Sequence, residues 1–327
     1  MVSSDYVIVT HTDMDGVGSA ALYIYYQGFK PSKIYFIEPY LIQDLIPRLR
    51  KLSGVSKTVF MDLGLNSNVI DSVANMIETL ISKGIAVEWY DHHVWEDDWI
   101  KKLKEKGAKI YLDRSTCATG VVAQYAPRQR KNIDEKFVGE LVKGVCAGDL
   151  FRFDHWRGPW FLRLIRRHDE NQWRLKVLYD IAQGILWNDS FTEKVIERFE
   201  EELRGYTRVH DNLVLMKHNG VKIAVALSIE GIENSFLAAH IMGRYGVDVV
   251  ALTSTDGKIS LRSKNYNVRE LAYVMGGGGH LKASGCKIKI PWKIRLKALL
   301  DKKIIVDYVS KKLIDAINSI GGLKQIG

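Results

Sequence analysis

The chain has 327 residues, 46% of them apolar and 26% charged, a globular composition long enough for two cores that excludes a disordered or low-complexity polypeptide. Its formal net charge of +9 suits a polyanionic partner. No apolar stretch reaches the length of a membrane span and no leader pattern follows Met1, so a cytoplasmic location without a membrane partner is expected. The three cysteines, Cys117, Cys146 and Cys286, show no metal or redox spacing and are expected as reduced thiols.

In chain order, the first half alternates strand and helix patterns. Short runs rich in β-branched and aromatic residues, Tyr6 to Thr10, Lys33 to Ile37, Lys57 to Met61, Ala86 to Tyr90 and Ala108 to Leu112, predict buried parallel strands. Helical patterns lie between them, over Gly18 to Gln27 and Asn66 to Lys83. From Thr119 to about Trp187 the pattern is mostly helical. Asp189 to Arg208 reads as a polar amphipathic helix capped by Asp189 or Ser190. The expected division is a catalytic domain over 1–188, a linker helix over 189–209 and a second domain over 210–327. In that second part, Leu213 to Lys217 and Val221 to Ser228 flank Asn219-Gly220, a hairpin signal. A helix over Asn234 to Tyr245 follows, then strands over Asp248 to Thr253 and Lys258 to Arg262, turned by Asp256-Gly257. A helix from Val268 to Met275 leads into Gly276-Gly277-Gly278-Gly279-His280. A strand over Cys286 to Ile290 and two basic helices complete the chain.

Four acidic motifs stand where apolar runs end: His11-Thr12-Asp13-Met14-Asp15-Gly16, Met61-Asp62-Leu63-Gly64, Asp91-His92-His93 and Gly148-Asp149. In an open parallel sheet the strand carboxyl ends line one crevice, so these side chains are expected to converge. If residues 11 to 15 stay extended, His11, Asp13 and Asp15 share a face. Adjacent carboxylates repel unless a cation sits between them. A carboxylate-rich set with one or two imidazoles suits Mn²⁺, with Mg²⁺ the alternative, better than Zn²⁺. Four aspartates exceed the needs of one ion. Two ions, roughly 3.5–4 Å apart, suit in-line attack of water on phosphorus.

These motifs resemble those of the DHH superfamily of phosphoesterases, named for a triplet found here as Asp91-His92-His93. The HxDxDG form of the first motif is closer to the RecJ-like branch than to the nanoRNase and pyrophosphatase branch. The run Gly276 to Gly285, GGGGHLKASG, is similar to the family's associated C-terminal domain. The resemblance covers nearly the whole chain. It implies an α/β fold: an N-terminal Rossmann-like parallel-sheet domain and a smaller mixed-sheet domain, with the active cleft between them. It also implies that His11, Asp13 and Asp62 hold one metal, and Asp15, Asp62, His92 and Asp149 a second, with Asp62 bridging. Asp91 would orient an imidazole and His93 would act on the scissile phosphate. Arg262, Ser263, Gly277, Gly278, Gly279 and His280 would grip the substrate. The glycines are read as a concave nest of amides for phosphate oxygens.

The expected activity is a Mn²⁺-dependent phosphodiesterase acting on single-stranded RNA or DNA or on short oligonucleotides, by exonucleolytic cleavage. The rivals are a phosphodiesterase for linear dinucleotides or nucleoside bisphosphates, an inorganic pyrophosphatase, and a replication scaffold working with replication or repair partners. The stretch Phe151 to Lys176 interleaves Arg152, Arg157, Arg163, Arg166, Arg167 and Arg174 with Trp156, Trp160 and Trp173. It fits either a single-strand channel or an amphipathic helix with core tryptophans. The basic C-terminal run from Lys287 to Lys303 reads as a solvated face that widens the catchment for polyanions. His155, His168, His210, His218 and His240 lie outside every motif and are not expected to be ligands.

Overall fold

The computed structural model describes residues 5–326. These form two compact units, one reaching to Glu193 and one beginning at Lys194.

The first unit is built on five strands, β1 (Tyr6–Thr10), β2 (Lys33–Phe36), β3 (Lys57–Met61), β4 (Ala86–Asp91) and β5 (Lys109–Leu112). Each lies within a residue of its predicted limits. Their spatial order is β2-β1-β3-β4-β5, and every pairing is parallel. Its helices are α1 (Met14–Gln27), α2 (Ile42–Leu49), α3 (Ile70–Ser82), α4 (Asp97–Glu105), α5 (Ala118–Tyr125), α6 (Glu135–Asp149), α7 (Arg157–Leu164) and α8 (Asn171–Ala182), and the division between the units falls within α9 (Asp189–Tyr206). Alternate strand residues Val7, Val9, Val87 and Trp89 meet Leu45, Val73, Ile77 and Leu103 of α2, α3 and α4 in one core. On the other face α1 is buried along its whole length, against α5, α6 and α8. Strand order reverses between β1 and β3, so a crevice opens at their carboxyl ends.

Helix starts differ from expectation. α1 begins at Met14 rather than Gly18, because the Asp13 carboxylate caps it by accepting from the Gly16 amide at 3.2 Å. α3 begins at Ile70, after a turn over 66–69. The cap of α9 is Asn188, whose Oδ1 accepts from the Phe191 amide at 3.0 Å. Neither Asp189 nor Ser190 fills that role.

The second unit carries β6 (Leu213–His218), β7 (Val221–Leu227), β8 (Val249–Thr253), β9 (Lys258–Ser263), β10 (Gly278–Gly279) and β11 (Ala283–Lys287). They form one mixed sheet in the order β10-β11-β9-β8-β7-β6. Its one parallel pair, β7 with β8, is joined through α10 (Asn234–Tyr245). At the β6–β7 turn Asn219 and Gly220 both have positive φ, 48° and 83°, as the hairpin signal requires. α11 (Val268–Val274), α12 (Trp292–Lys297) and α13 (Lys303–Ser319) complete the unit; α13 buries Val306, Val309 and Leu313 against the sheet. The strand expected at Cys286 to Ile290 lies instead at Ala283–Lys287, where Ser284 and Gly285 pair with β9.

Cys117 and Cys146 are joined in a disulfide across a separation of 29 residues, which corrects the expectation of three reduced thiols. Their spacing carries no motif; the packing of α5 on α6 brings them together. Cys286 is a free buried thiol, pushed up to about 11 by burial. No helix among the described residues is long and apolar enough to cross a membrane.

Candidate metal centre

Three strand ends of the first unit deliver the acidic motifs to the crevice. His11 follows β1, Asp62 follows β3, and His92-His93 follow Asp91, the last residue of β4. Asp149 arrives from the last residue of α6. Asp62 has a positive φ of 54°, a conformation that aspartate tolerates better than most side chains.

The carboxylates and imidazoles sort into two groups. In one, His11 Nδ1 lies 2.9 Å from Asp13 Oδ2 and 3.2 Å from Asp62 Oδ2. In the other, His92 Nε2 lies 3.4 Å from Asp62 Oδ1, 3.6 Å from Asp15 Oδ2 and 3.6 Å from Asp149 Oδ2. Asp62 therefore turns one oxygen to each group. The first motif does not act as an extended face. Because α1 starts at Met14, Asp13 stays with His11 while Asp15, in the first helical turn, swings to the His92 side. The tight start needs Gly16, where a Cβ would stand 2.5 Å from the His11 carbonyl oxygen.

The surroundings of these ligand candidates are fixed. Asp15 accepts from the Ala118 amide at 2.7 Å, and from the Thr119 amide and hydroxyl at 2.8 and 2.7 Å, an anion at the N-terminus of α5. Cys117 sits at that same helix start and Cys146 lies one turn before Asp149, so the disulfide ties together the mounts of two carboxylates. Asp91 accepts from Trp95 Nε1 at 2.7 Å and partners His93 Nδ1 at 2.8 Å. His93 is the most accessible of these imidazoles, at 30% of its side chain.

Sequence reasoning missed Glu38, whose Oε2 lies 3.4 Å from His11 Nε2 and whose Oε1 accepts from the Thr12 hydroxyl. The signal was present, since Glu38 also punctuates the end of an apolar run. Trp95 and Thr119 announce themselves by no motif.

The electrostatics of the cluster suit bound cations. Burial pushes Asp149 up to about 6, with Asp62 and Asp13 adding to the effect against His92. Burial and then the Asp62 and Asp149 charges raise Asp15 well above the usual carboxylate range. Burial would lower His11 and His92, but the surrounding carboxylates outweigh it and raise both well above the ordinary imidazole value. Asp149 Oδ2 is buried without a hydrogen-bond donor, at the C-terminal end of α6, where a carboxylate is disfavoured unless a cation balances it. The donor set of carboxylates with imidazoles fits divalent Mn²⁺ or Mg²⁺.

Two family models match the chain: the DHH family, N-terminal domain, over residues 5–148, and the DHHA1 domain over residues 218–309. The chain belongs to the DHH family. It is 22% identical over 315 residues to oligoribonuclease NrnB of Bacillus subtilis, covering 86% of this chain and 73% of that protein. Two solved structures share the fold. One is an exopolyphosphatase-related protein from Bacteroides fragilis, with a TM-score of 0.53, 15% identity and coverage of 95% of this chain and 94% of that one. The other is RecJ from Thermus thermophilus in complex with Mn²⁺, with a TM-score of 0.51 and 15% identity; 94% of this chain aligns with 52% of that one.

In the DHHA1 part, some of the glycine run is engaged in the fold itself. The amides of Gly277 and His280 already donate to Ala272 and Ala283 carbonyls, each at 2.8 Å, and that of Gly276 to the Tyr273 carbonyl. A Cβ at Gly277 would lie 2.0 Å from the Gly285 carbonyl oxygen. Gly277 and Gly279 stand where two backbones touch, whereas Gly278 faces open space. Ser263 is buried and donates its hydroxyl to the Tyr266 carbonyl. Arg262 donates through Nε and one terminal nitrogen to Ser235 Oγ, at 3.3 and 3.2 Å.

The Arg- and Trp-rich stretch is part core and part surface. Arg163 and Arg174 are buried, Arg157 pairs with Glu140, and Trp173 donates to the Leu164 carbonyl. Trp156 is 61% exposed.

Proposed function

We propose that this DHH protein is a Mn²⁺-dependent phosphodiesterase that hydrolyses single-stranded or short oligonucleotides using two cations. The observation that carries this reading is the Asp62 carboxylate, with Oδ2 on the His11–Asp13 group and Oδ1 on the His92–Asp15–Asp149 group. When bound, two divalent cations supply the Lewis acidity that acidifies water and neutralises charge growing on the phosphoryl oxygens. In this reading His11, Asp13 and Asp62 hold one ion, and Asp15, Asp62, His92 and Asp149 hold the other. Asp91, anchored by Trp95, keeps a proton on His93 Nδ1 and fixes the ring. Burial opposes that proton, but the Asp91 charge and hydrogen bond raise His93 above its ordinary value. That shift favours the imidazolium form, the one that faces a phosphate or protonates a leaving oxygen. In the DHHA1 domain, the Arg262 guanidinium and the His280 imidazole are the side chains read as binding nucleic acid.

The likeness to a protein named an oligoribonuclease supports trying short RNA first. The test is cleavage of end-labelled RNA and DNA, short and long, with Mn²⁺, by the wild-type chain and by Asp62→Asn. Stepwise products that the variant fails to make support the reading. Absence of cleavage of every strand by Mn²⁺-loaded wild-type protein contradicts it.

A further inference from the structure

The loop between α7 and α8, Ile165 to Glu170, belongs to none of the DHH motifs, yet it is fastened to the first of them. Asp169 Oδ2 accepts from the Arg166 amide at 2.8 Å, closing the turn. Buried Arg174 then binds the loop from beneath. One terminal nitrogen donates to the Arg167 carbonyl at 2.6 Å and the Arg166 carbonyl at 3.2 Å. The other donates to the Asp169 carbonyl and to Asn171 Oδ1. Its Nε donates to the Thr12 carbonyl at 2.7 Å. One guanidinium thus locks this loop to the backbone between His11 and Asp13.

What the platform presents is Arg167. Its terminal nitrogen lies 3.7 Å from Asp13 Oδ2, on a side chain 57% accessible. At that accessibility the guanidinium beside Asp13 is within reach of an anion from solvent. A fixed cation beside the His11–Asp13–Asp62 group also opposes metal binding there, through like-charge repulsion. Both features make sense if a further anion enters. A phosphate group is that anion, and the planar guanidinium fork matches two of its oxygens.

We propose that Arg167 is a phosphate-binding residue, contacting the substrate phosphate engaged at the His11–Asp13–Asp62 group, with Arg174 as the residue that positions its loop. This inference rests on the phosphodiesterase reading for its substrate class, though not for its anion. Arg152, paired with Asp154, and Arg157, paired with Glu140, lack this placement against the metal centre.

The experiment compares wild-type protein with Arg167→Ala and Arg167→Lys in three titrations. These are Mn²⁺ alone, inorganic phosphate into the Mn²⁺-loaded protein, and steady-state cleavage of a short oligonucleotide. Arg167→Ala is expected to bind Mn²⁺ at least as tightly as wild type, while phosphate affinity falls roughly ten- to hundredfold and KM rises with it. Arg167→Lys should recover part of that loss, keeping the charge without the fork. Unchanged phosphate affinity in Arg167→Ala overturns the proposal. So does a loss of Mn²⁺ affinity parallel to the loss of phosphate, since Arg167 would then be a support for Asp13. If phosphate binding depends on Arg167 while the wild type cleaves no diester, the subsite stands and the phosphodiesterase reading falls.

Discussion

Asp13 and Asp15 stand two residues apart in one motif, yet they lie in opposite fields. Burial disfavours charge on Asp13, but His11, Arg167 and the Gly16 amide outweigh it and hold the carboxyl far below its usual range. Asp15 is raised by burial and by the carboxylates of Asp62 and Asp149, despite three hydrogen bonds from α5. The divergence arises because a helix begins between them, turning one side chain toward cations and the other into a carboxylate cluster. The His11 side is the better balanced and more open half. The His92 side is closed, excessively anionic and therefore the half that most needs a cation. Within the two-cation reading, Mn²⁺ should fill the His92 side first and exchange faster on the His11 side.

The largest expected effect comes from removing what the halves share. Asp62→Asn keeps a residue that tolerates the positive φ but removes the one carboxylate charge that both groups share. Cleavage should fall roughly a thousandfold or more, measured as kcat/KM on a short oligonucleotide, with circular dichroism unchanged. Reduction of the Cys117–Cys146 bridge, or a double Cys→Ser replacement, should act on the closed half alone. Loop closure over this separation stabilises by about 3–4 kcal/mol in the chain-entropy model, so calorimetry should show a clear drop in Tm. Mn²⁺ affinity should fall at the tighter site. An unchanged tight site would show that the bridge staples the fold without mounting Asp15 and Asp149.

Glu38→Gln probes the open half. Burial acts against the charge of Glu38, yet His11 and Thr12 hold it down to about 2, so it faces His11 Nε2 as a carboxylate. Residues that orient a ligand imidazole typically contribute ten- to hundredfold in metal affinity or activity, by about that factor here too. Isothermal titration should assign the loss to the weaker Mn²⁺ site.

Solution pH gives the mildest test. The folded values of His11 and His92 lie above the ordinary 6.5, so the native state binds their protons more tightly than the unfolded chain does. That contribution is complete below pH 6.5 and is lost as pH rises through the raised values. Asp149 behaves likewise, from the ordinary 3.8 to about 6. The metal-free protein should therefore lose Tm as pH rises above about 6, and the Tm gained on adding Mn²⁺ should grow over the same interval. A metal-free Tm that rises through this range contradicts the assignment.

The parallel sheet and the convergence of Asp62, Asp91 and His92 were legible because buried strands are short apolar runs and their ends are marked by charge; Asp149 joins them from the end of helix α6. What escaped the sequence has physical reasons. The start of α1 depends on a capping bond from Asp13 that competes with an extended reading. Glu38 carries the same strand-end mark as the others but stands in no motif with a second ligand type. The contact between Cys117 and Cys146 exists only once α5 packs on α6. The close approach of Gly277 to a neighbouring backbone is a contact in space that no sequence pattern shows. Arg167 matters through a loop that Arg174 holds from a distant helix, and no spacing rule encodes that.

The central claim is that two cations share Asp62. The most direct measurement is Mn²⁺ binding followed by electron paramagnetic resonance on the full chain. Two ions per chain with an exchange-coupled spectrum are predicted, and Asp62→Asn should remove the coupling. A single Mn²⁺ per chain at saturation, or two with spectra that remain uncoupled, would contradict it.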